Sequence, residues 1–112
     1  MAGELNPLLR VELQDLVANM CKAINDPKRL LLLYALADGP RSVSELCTIL
    51  DSPQSNASQH LAVLRAAGMV DAERSGSNVL YSLRHPKVLD AIDMLRVISR
   101  DELARRQASL VG

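Results

Sequence analysis

Apolar residues recur at the spacing of an α-helix in the first part of the chain. They are Leu9, Leu13, Leu16, Val17, Met20 and Ile24. Because these positions share one face of a helix, they predict one amphipathic helix over about residues 8–24. The next run, "NDPKRLLLLYALADG", places Asp26 where an N-cap belongs, Pro27 at the first helical position and Gly39 just past the end. A second helix, short and buried, is therefore predicted.

Two further helices are predicted on either side of a short turn. In "SVSELCTIL", Ser42 and Glu45 stand three residues apart, which is the spacing of a capping box at the start of a third helix. The run "DSP" repeats a start signal, with Ser52 as the cap, and a fourth helix then extends over about residues 53–67 and stops at Gly68. Two helices joined by a tight turn form the helix-turn-helix layout.

The period of the pattern changes after the fourth helix. Polar and apolar residues alternate in "MVDAERSGSNVLYSL", which is typical of strands, and "SGSN" supplies the residues of a hairpin turn. A short hairpin directly behind a helix-turn-helix is a wing. The run "HPKVLDAIDMLRVISRDELARR" then predicts a closing helix of roughly five turns from Pro86 with one apolar stripe. The stripe consists of Val88, Ala91, Ile92, Leu95 and Ile98.

The closing helix has apolar residues on more than one side. Met94 and Val97 fall outside the main stripe. In so small a domain, a helix of this kind indicates a surface that a partner covers. We therefore expect the N-terminal and C-terminal helices to form the interface of a homodimer.

The composition agrees with a compact, mainly helical domain. Of the 112 residues, 48% are hydrophobic and only 2% aromatic, with neither Phe nor Trp, so the core consists of aliphatic side chains, which favours packed helices. We expect a single domain over residues 1–112, mainly α with a small β-hairpin: a winged helix-turn-helix of about five helices and a two-stranded wing. Because neither a basic and apolar leader nor a run of ~20 apolar residues stands out, we expect a cytoplasmic protein that does not contact membranes.

The outer face of the fourth helix presents short polar side chains instead of the usual lysines and glutamates. At about 100° per residue, Ala57, Leu61 and Leu64 fall on the inward side. The opposite side is small, polar and almost uncharged. Such side chains hydrogen-bond to base edges and phosphates, and their size lets a helix lie deep in the DNA major groove. The candidate DNA contacts of this helix are Gln54, Ser55, Asn56, Ser58, Gln59 and Arg65. Those of the flanking helix and the wing are Arg41, Arg74, Arg84 and Asn78.

Other interpretations of these residues compete with DNA reading. A surface helix that is merely capped and solubilised would have similar polar residues. The net charge of zero suits a winged helix that binds protein, because nonspecific DNA affinity depends on cations near phosphates. A protein-binding helix, however, would favour exposed apolar or aromatic anchors. An enzyme would need a nucleophile with a base and an acid, a glycine loop for phosphate, or a metal-ligand set. No such constellation stands out, so we do not expect catalysis.

Four runs of the sequence resemble one protein family. "KAINDPKRLLLLYAL", "VSELCTIL", "SNASQHLAVLRAAGMV" and "GSNVLYSL" occur in this order, and the chain resembles the ArsR/SmtB family of bacterial winged-helix repressors over residues 15–98. The resemblance implies a homodimer that binds double-stranded operator DNA at an imperfect inverted repeat, with the fourth helix of each subunit in the major groove. It also implies repression that an effector relieves. His60 lies on the recognition helix in the family pattern and joins the candidate DNA contacts.

The ligand sets known in this family match the chain only in part. Its arsenical and cadmium sensors resemble "ELCVC" at the third helix, whereas this chain has "ELCTI", so Cys47 matches the first thiol and Ile49 replaces the second. The zinc sensors have histidines on the closing helix, but the histidines here are His60 and His85. We therefore expect no certain metal site. Cys21 and Cys47 are either core thiols or a sensor pair. Thiol oxidation, a metal ion, a metalloid ion, an unrelated effector and no effector at all stay open.

Overall fold

The computed structural model describes residues 6–111, of which Val111 is described by its backbone only. Within these residues it has five α-helices and three strands. The first five residues and Gly112, which the single-domain prediction includes, lie outside the described residues. The elements are α1 (Pro7–Leu16, continued by a π-helical turn over Val17–Cys21), α2 (Pro27–Ala35), β1 (Arg41–Ser42), α3 (Val43–Leu50), α4 (Gln54–Ala66), β2 (Val70–Ser75), β3 (Asn78–Leu83) and α5 (Val88–Val111).

The first helix forms where the sequence predicts it, but most of its apolar face is exposed. Asn6 caps it, because its Oδ1 accepts a hydrogen bond from the amide of Leu9 at 2.7 Å. No residue of α1 or of the π-helical turn is buried. A π-helical turn accommodates one extra residue and so shifts the helical phase. Ala23, which follows this turn, is the residue that enters the core.

The second helix begins as predicted and ends earlier. The side chain of Asp26 accepts hydrogen bonds from the amides of Lys28 at 2.8 Å and Arg29 at 3.2 Å, which confirms the N-cap. The helix stops at Ala35, and a turn over residues 36–38 separates it from Gly39. Gly39 adopts a φ of 137°, so it serves this turn and not the helix end as predicted.

The helix-turn-helix is present, with one cap different from the prediction. The capping box of α3 is confirmed, since the Ser42 hydroxyl accepts from the amide of Glu45 and the Glu45 carboxylate accepts from the amide of Ser42. The predicted cap at Ser52 is wrong. Its hydroxyl lies 3.2 Å from the ammonium of Lys28, and Pro53 occupies the N-cap position of α4. The reversal between the helices is made by Asp51, which adopts left-handed backbone angles.

The wing belongs to a sheet of three strands, so the predicted two-stranded wing is incomplete. β2 and β3 pair antiparallel with Ser75 opposite Asn78, and a two-residue turn connects them. The added strand is β1, which pairs with β3 in the order β1-β3-β2. β1 has only two residues, too few for alternation to appear in the sequence. The pairing ties the start of the helix-turn-helix to the wing.

The core lies between α2, α3, α4 and the first residue of the wing. Its largest fully buried side chains are Leu32, Leu33, Leu46, Leu61, Leu64 and Val70. The closing helix is longer than predicted and buries only Ile92 of its stripe. Leu95 and Ile98 are more than half exposed in the single chain. No helix within residues 6–111 is long and apolar enough to span a membrane.

The capping box provides a stability test. Ser42→Ala should lower the free energy of unfolding by about 1 kcal/mol, because the amide of Glu45 loses its acceptor. Hydrogen bonds from Ser42, above all from its backbone amide, hold the pKa of Glu45 below its usual value. The stabilisation from the Glu45 carboxylate is therefore present at neutral pH and is lost as the pH falls below about 4, in the wild type and in Ser42→Ala alike. Urea denaturation at pH 7 and at pH 3 measures both effects, with Ser44→Ala as the exposed control in the same helix. Equal urea midpoints for Ser42→Ala and the wild type at pH 7 would refute the predicted role of the cap.

Candidate nucleic-acid interface

The outer surface of α4 is the polar face that the sequence predicts. Ala57, Leu61 and Leu64 are fully buried, which confirms the inward side of the helix. On the outward side, most of the predicted DNA contacts are exposed. These are Gln54, Ser55, Asn56, Gln59 and Arg65. The structure therefore leaves five predicted side chains exposed on α4, with Ser55 and Gln59 directly opposite the buried side.

Two of the predicted contacts on α4 are less accessible. Ser58 and His60 are half-buried. The Nδ1 atom of His60 lies 3.3 Å from a guanidinium nitrogen of Arg29 on α2. The ring of His60 thus contacts the body of the domain, and the prediction that it contacts DNA does not agree with this placement.

The N-terminus of α4 is suited to an anion. Pro53 supplies no capping side chain, and the first turn contains no acidic residue. Backbone N–H groups at such a terminus, together with the positive end of the helix dipole, attract a phosphate. Lys28 adds a cation there, since its ammonium lies 3.2 Å from the Ser52 hydroxyl and its side chain is exposed. The sequence interpretation missed Lys28, because only the fold brings the start of α2 to the turn before α4.

The arginines divide into paired and outward-facing ones. The Nε of Arg41 donates to the carbonyl of Ala35 at 2.7 Å, and another of its nitrogens lies 3.6 Å from the Glu45 carboxylate. These contacts hold its guanidinium against the protein, so the predicted phosphate contact of Arg41 is not favoured. Arg74 and Asn78, in contrast, are exposed on the wing.

The two cysteines occupy different environments. Cys47 is partly buried and packs against the core, in agreement with a core thiol. Cys21 is exposed in the single chain, so it is not part of the core that one chain forms. The cause is the π-helical turn, which Cys21 ends and after which Ala23 enters the core.

A polar cluster that the sequence interpretation missed joins α2 to α5. The Tyr34 hydroxyl donates to the Asp93 carboxylate, Arg96 lies 3.0 Å from the same carboxylate, and the Arg96 guanidinium carbon is 5.3 Å from the Tyr34 ring centroid. Burial and this hydrogen bond raise the pKa of Tyr34, while the bond lowers the pKa of Asp93. Tyrosine within the apolar run "LLLLYAL" was the available signal. The cluster fixes the direction in which α5 leaves the body.

Within residues 6–111, no group of three His, Cys, Asp or Glu side chains is arranged to hold a metal ion.

The chain is similar to known bacterial regulators. Residues 26–72 match the family model described as bacterial regulatory protein, arsR family. The chain is 40% identical over 85 residues to the transcriptional repressor SmtB of Mycobacterium tuberculosis. This alignment covers 72% of this chain and 63% of that protein. It is 42% identical over 82 residues to a biofilm growth-associated repressor of Agrobacterium fabrum, covering 73% of this chain and 70% of that protein. The chain thus spans less than two thirds of the length of the first of these relatives.

The fold has a similar solved structure. The solution structure of a homodimeric winged helix-turn-helix DNA-binding domain from Mycobacterium bovis aligns with a TM-score of 0.73 and 30% identity, covering 94% of this chain and 95% of that domain. The likeness covers the helix-turn-helix, the wing and the flanking helices.

Proposed function

Since the chain belongs to the ArsR family of bacterial regulatory proteins, we propose that it represses transcription by binding operator DNA as a homodimer. The fourth helix of each subunit enters the major groove, and the wing contacts the adjacent backbone. The operator is an imperfect inverted repeat, because a two-fold symmetric dimer presents two identical recognition helices. A regulator bound to the chromosome acts in the cytoplasm.

The observation that carries this proposal is the outward face of α4. Gln59 and Asn56 are exposed amides, and bidentate hydrogen bonds from such amides to adenine are a common form of base reading. Gln54 and Ser55 begin the helix at a terminus without an acidic residue. This arrangement favours a phosphate at the helix start and bases further along the helix.

The proposal of a homodimer is supported by how much of α1 and α5 remains uncovered. The radius of gyration is 17.3 Å, whereas a compact domain of this length has about 13 Å. The accessible surface is 8182 Å², against about 6,100 Å² for a compact monomer of this mass. Large apolar side chains on the first helical segment and on α5 are more than half exposed in the single chain. They include Val11, Val17, Met94, Leu95 and Ile98. A second copy would cover these faces.

Release of the DNA by an effector stays a prediction. Cys21 is exposed and Cys47 is at the edge of the core, so an oxidant has access to the first thiol more readily than to the second. To distinguish these signals, a metal ion, a metalloid ion or an oxidant is added separately to the DNA complex, and the release of DNA is measured.

The test of the proposal begins with selection of duplexes from a random 30-base-pair library by the full chain. Enrichment of an inverted repeat supports the proposal, and failure to enrich any sequence contradicts it. Fluorescence anisotropy then compares the selected duplex with a scrambled one.

Gln59→Ala should weaken binding to the selected duplex by about 1–3 kcal/mol per base contact, with little effect on the scrambled duplex. Arg74→Ala should instead weaken both duplexes alike and reduce the salt dependence, because a phosphate contact reads no sequence. Gln107→Ala, an exposed glutamine on α5, is the control. An equal loss on both duplexes for Gln59→Ala would mean that Gln59 only positions the helix.

A further inference from the structure

Arg29 has polar contacts with two elements besides its own helix. It lies in the first turn of α2 and is partly buried. Its Nε donates to the carbonyl of Ala23, and one terminal nitrogen donates to the carbonyl of Lys22 at 3.3 Å. The other terminal nitrogen lies 3.3 Å from Nδ1 of His60 on α4. The first helical segment runs over residues 7–23 and comprises α1, the π-helical turn, Lys22 and Ala23. The Arg29 side chain thus joins the end of this segment to α4, the proposed recognition helix.

The chemistry of this contact fixes the state of the histidine. A guanidinium only donates hydrogen bonds, so a hydrogen bond at this contact requires Nδ1 of His60 as the acceptor and the ring proton on Nε2. The planar fork of an arginine donates in three directions at once. A lysine ammonium in the same place would be a compact charge on a flexible stem and could not reproduce this fork.

The surroundings of Arg29 show why its hydrogen bonds matter. A cleft of about 470 Å³ lies between the end of the first helical segment and α4. Ala18, Asn19 and Lys22 line one wall, and Val63, Ala66 and Ala67 line the other. Because the cleft is open, side-chain packing does not fill the space between these walls. Arg29 lines the cleft and contacts both sides.

We infer that Arg29 is a positioning residue for DNA reading, and that it acts through His60 to set where α4 stands relative to the first helix. The inference rests on the proposed function. His60 directly follows Gln59, so a shift of His60 moves the amide proposed to read bases. Recognition groups must be held within about 0.5 Å by the residues behind them. Through Arg29 the position of α4 also depends on the position of the first helix, which is part of the proposed dimer interface.

The experiment uses the full-length protein and the duplex selected as above. Two substitutions change the arginine, Arg29→Lys and Arg29→Gln, and two change its partner, His60→Leu and His60→Asn. Asparagine places an oxygen near the position of Nδ1 and keeps an acceptor there. Lys22→Gln is the control, because Arg29 contacts the carbonyl of Lys22 and not its side chain. The readout is the ratio of the dissociation constants for the scrambled and the selected duplex, measured by anisotropy.

Arg29→Lys, Arg29→Gln and His60→Leu should each lower this ratio roughly tenfold, the size of a typical coupling between contacting side chains. His60→Asn should retain most of the ratio, and the double variant Arg29→Gln with His60→Leu should be no worse than either single one. Two-bond ¹H–¹⁵N spectra of the imidazoles should show His60 protonated on Nε2 in the wild type and a mixture of tautomers in Arg29→Gln. A residue that only stabilised the fold would lower the melting temperature without changing the ratio or the tautomer.

An unchanged ratio in folded Arg29→Lys and folded His60→Leu would overturn the inference. If Arg29→Gln fails to fold, the comparison of His60→Leu with His60→Asn still tests the inference, because only His60→Asn keeps a hydrogen-bond acceptor. Failure to enrich any duplex in the selection would overturn the proposed function itself. An enriched duplex that all variants read as well as the wild type would overturn only the role of Arg29.

Discussion

Leu95→Glu is expected to turn the dimer into a monomer. Leu95 is 58% exposed in the single chain and lies on α5 among Met94, Val97 and Ile98, which are also uncovered. In a two-fold symmetric interface the substitution occurs twice and buries two unpaired carboxylates. Each costs several kcal/mol unless a partner is available. The dimer dissociation constant should therefore rise on the order of a thousandfold or more.

Sedimentation velocity over a range of concentrations measures this change, and Gln107→Glu provides the same charge change near the end of α5. The monomer should also lose most of its affinity for the selected duplex, because it presents one recognition helix instead of two. If Leu95→Glu sediments as the wild type does and remains dimeric, the interface does not include this part of α5. Charge substitutions in α1, such as Val11→Glu, would then locate it.

Leu64→Ala is expected to destabilise the domain by about 2–5 kcal/mol. Leu64 is fully buried on the inward side of α4, where it packs into the core with Leu61 and Ala57. Truncation removes three carbons from a packed interior and leaves a cavity whose lining loses contacts. Urea denaturation measures the loss, and the melting temperature should fall with it.

Val63→Ala is the matched control for Leu64→Ala, because Val63 is the preceding residue of α4 and is 40% exposed. It should cost well under half as much, since its side chain gives up less buried area. A similar loss for both variants would mean that the recognition helix is not anchored through its inward face. A loss near 2 kcal/mol would mean that the surrounding core collapses into the space, and wild-type stability would contradict the burial of Leu64.

The local chemistry of the sequence predicted several elements correctly. The caps at Asp26 and Ser42 are confirmed because capping depends on residues within three positions of each other. The inward face of α4 is confirmed because its burial follows from helical spacing alone. The predicted cap at Ser52 is wrong, because α4 begins at Gln54 and Pro53 occupies the N-cap position.

The candidate interface was predictable in part for the same reason. Gln54, Ser55, Asn56 and Gln59 are exposed, and Ser55 and Gln59 lie opposite the buried side, as a helical periodicity implies. His60 and Arg41 were assigned to DNA from the pattern or the resemblance, yet both contact the protein through partners that the pattern does not reveal. The sequence also did not predict which residue at the end of the first helix enters the core, because one π-helical turn rotates every later residue about the helix axis.

The sequence by itself determined the helix-turn-helix, the polar face of its second helix and the apolar character of the first and last helices, because these depend on spacing and on neighbouring residues. Only the tertiary structure decided that β1 joins the wing, that Lys28 lies at the start of α4 and that Arg29 links His60 to the end of the first helical segment. Each of these contacts joins residues that are distant along the chain. Their formation depends on how the elements pack, and no local pattern of residues encodes that.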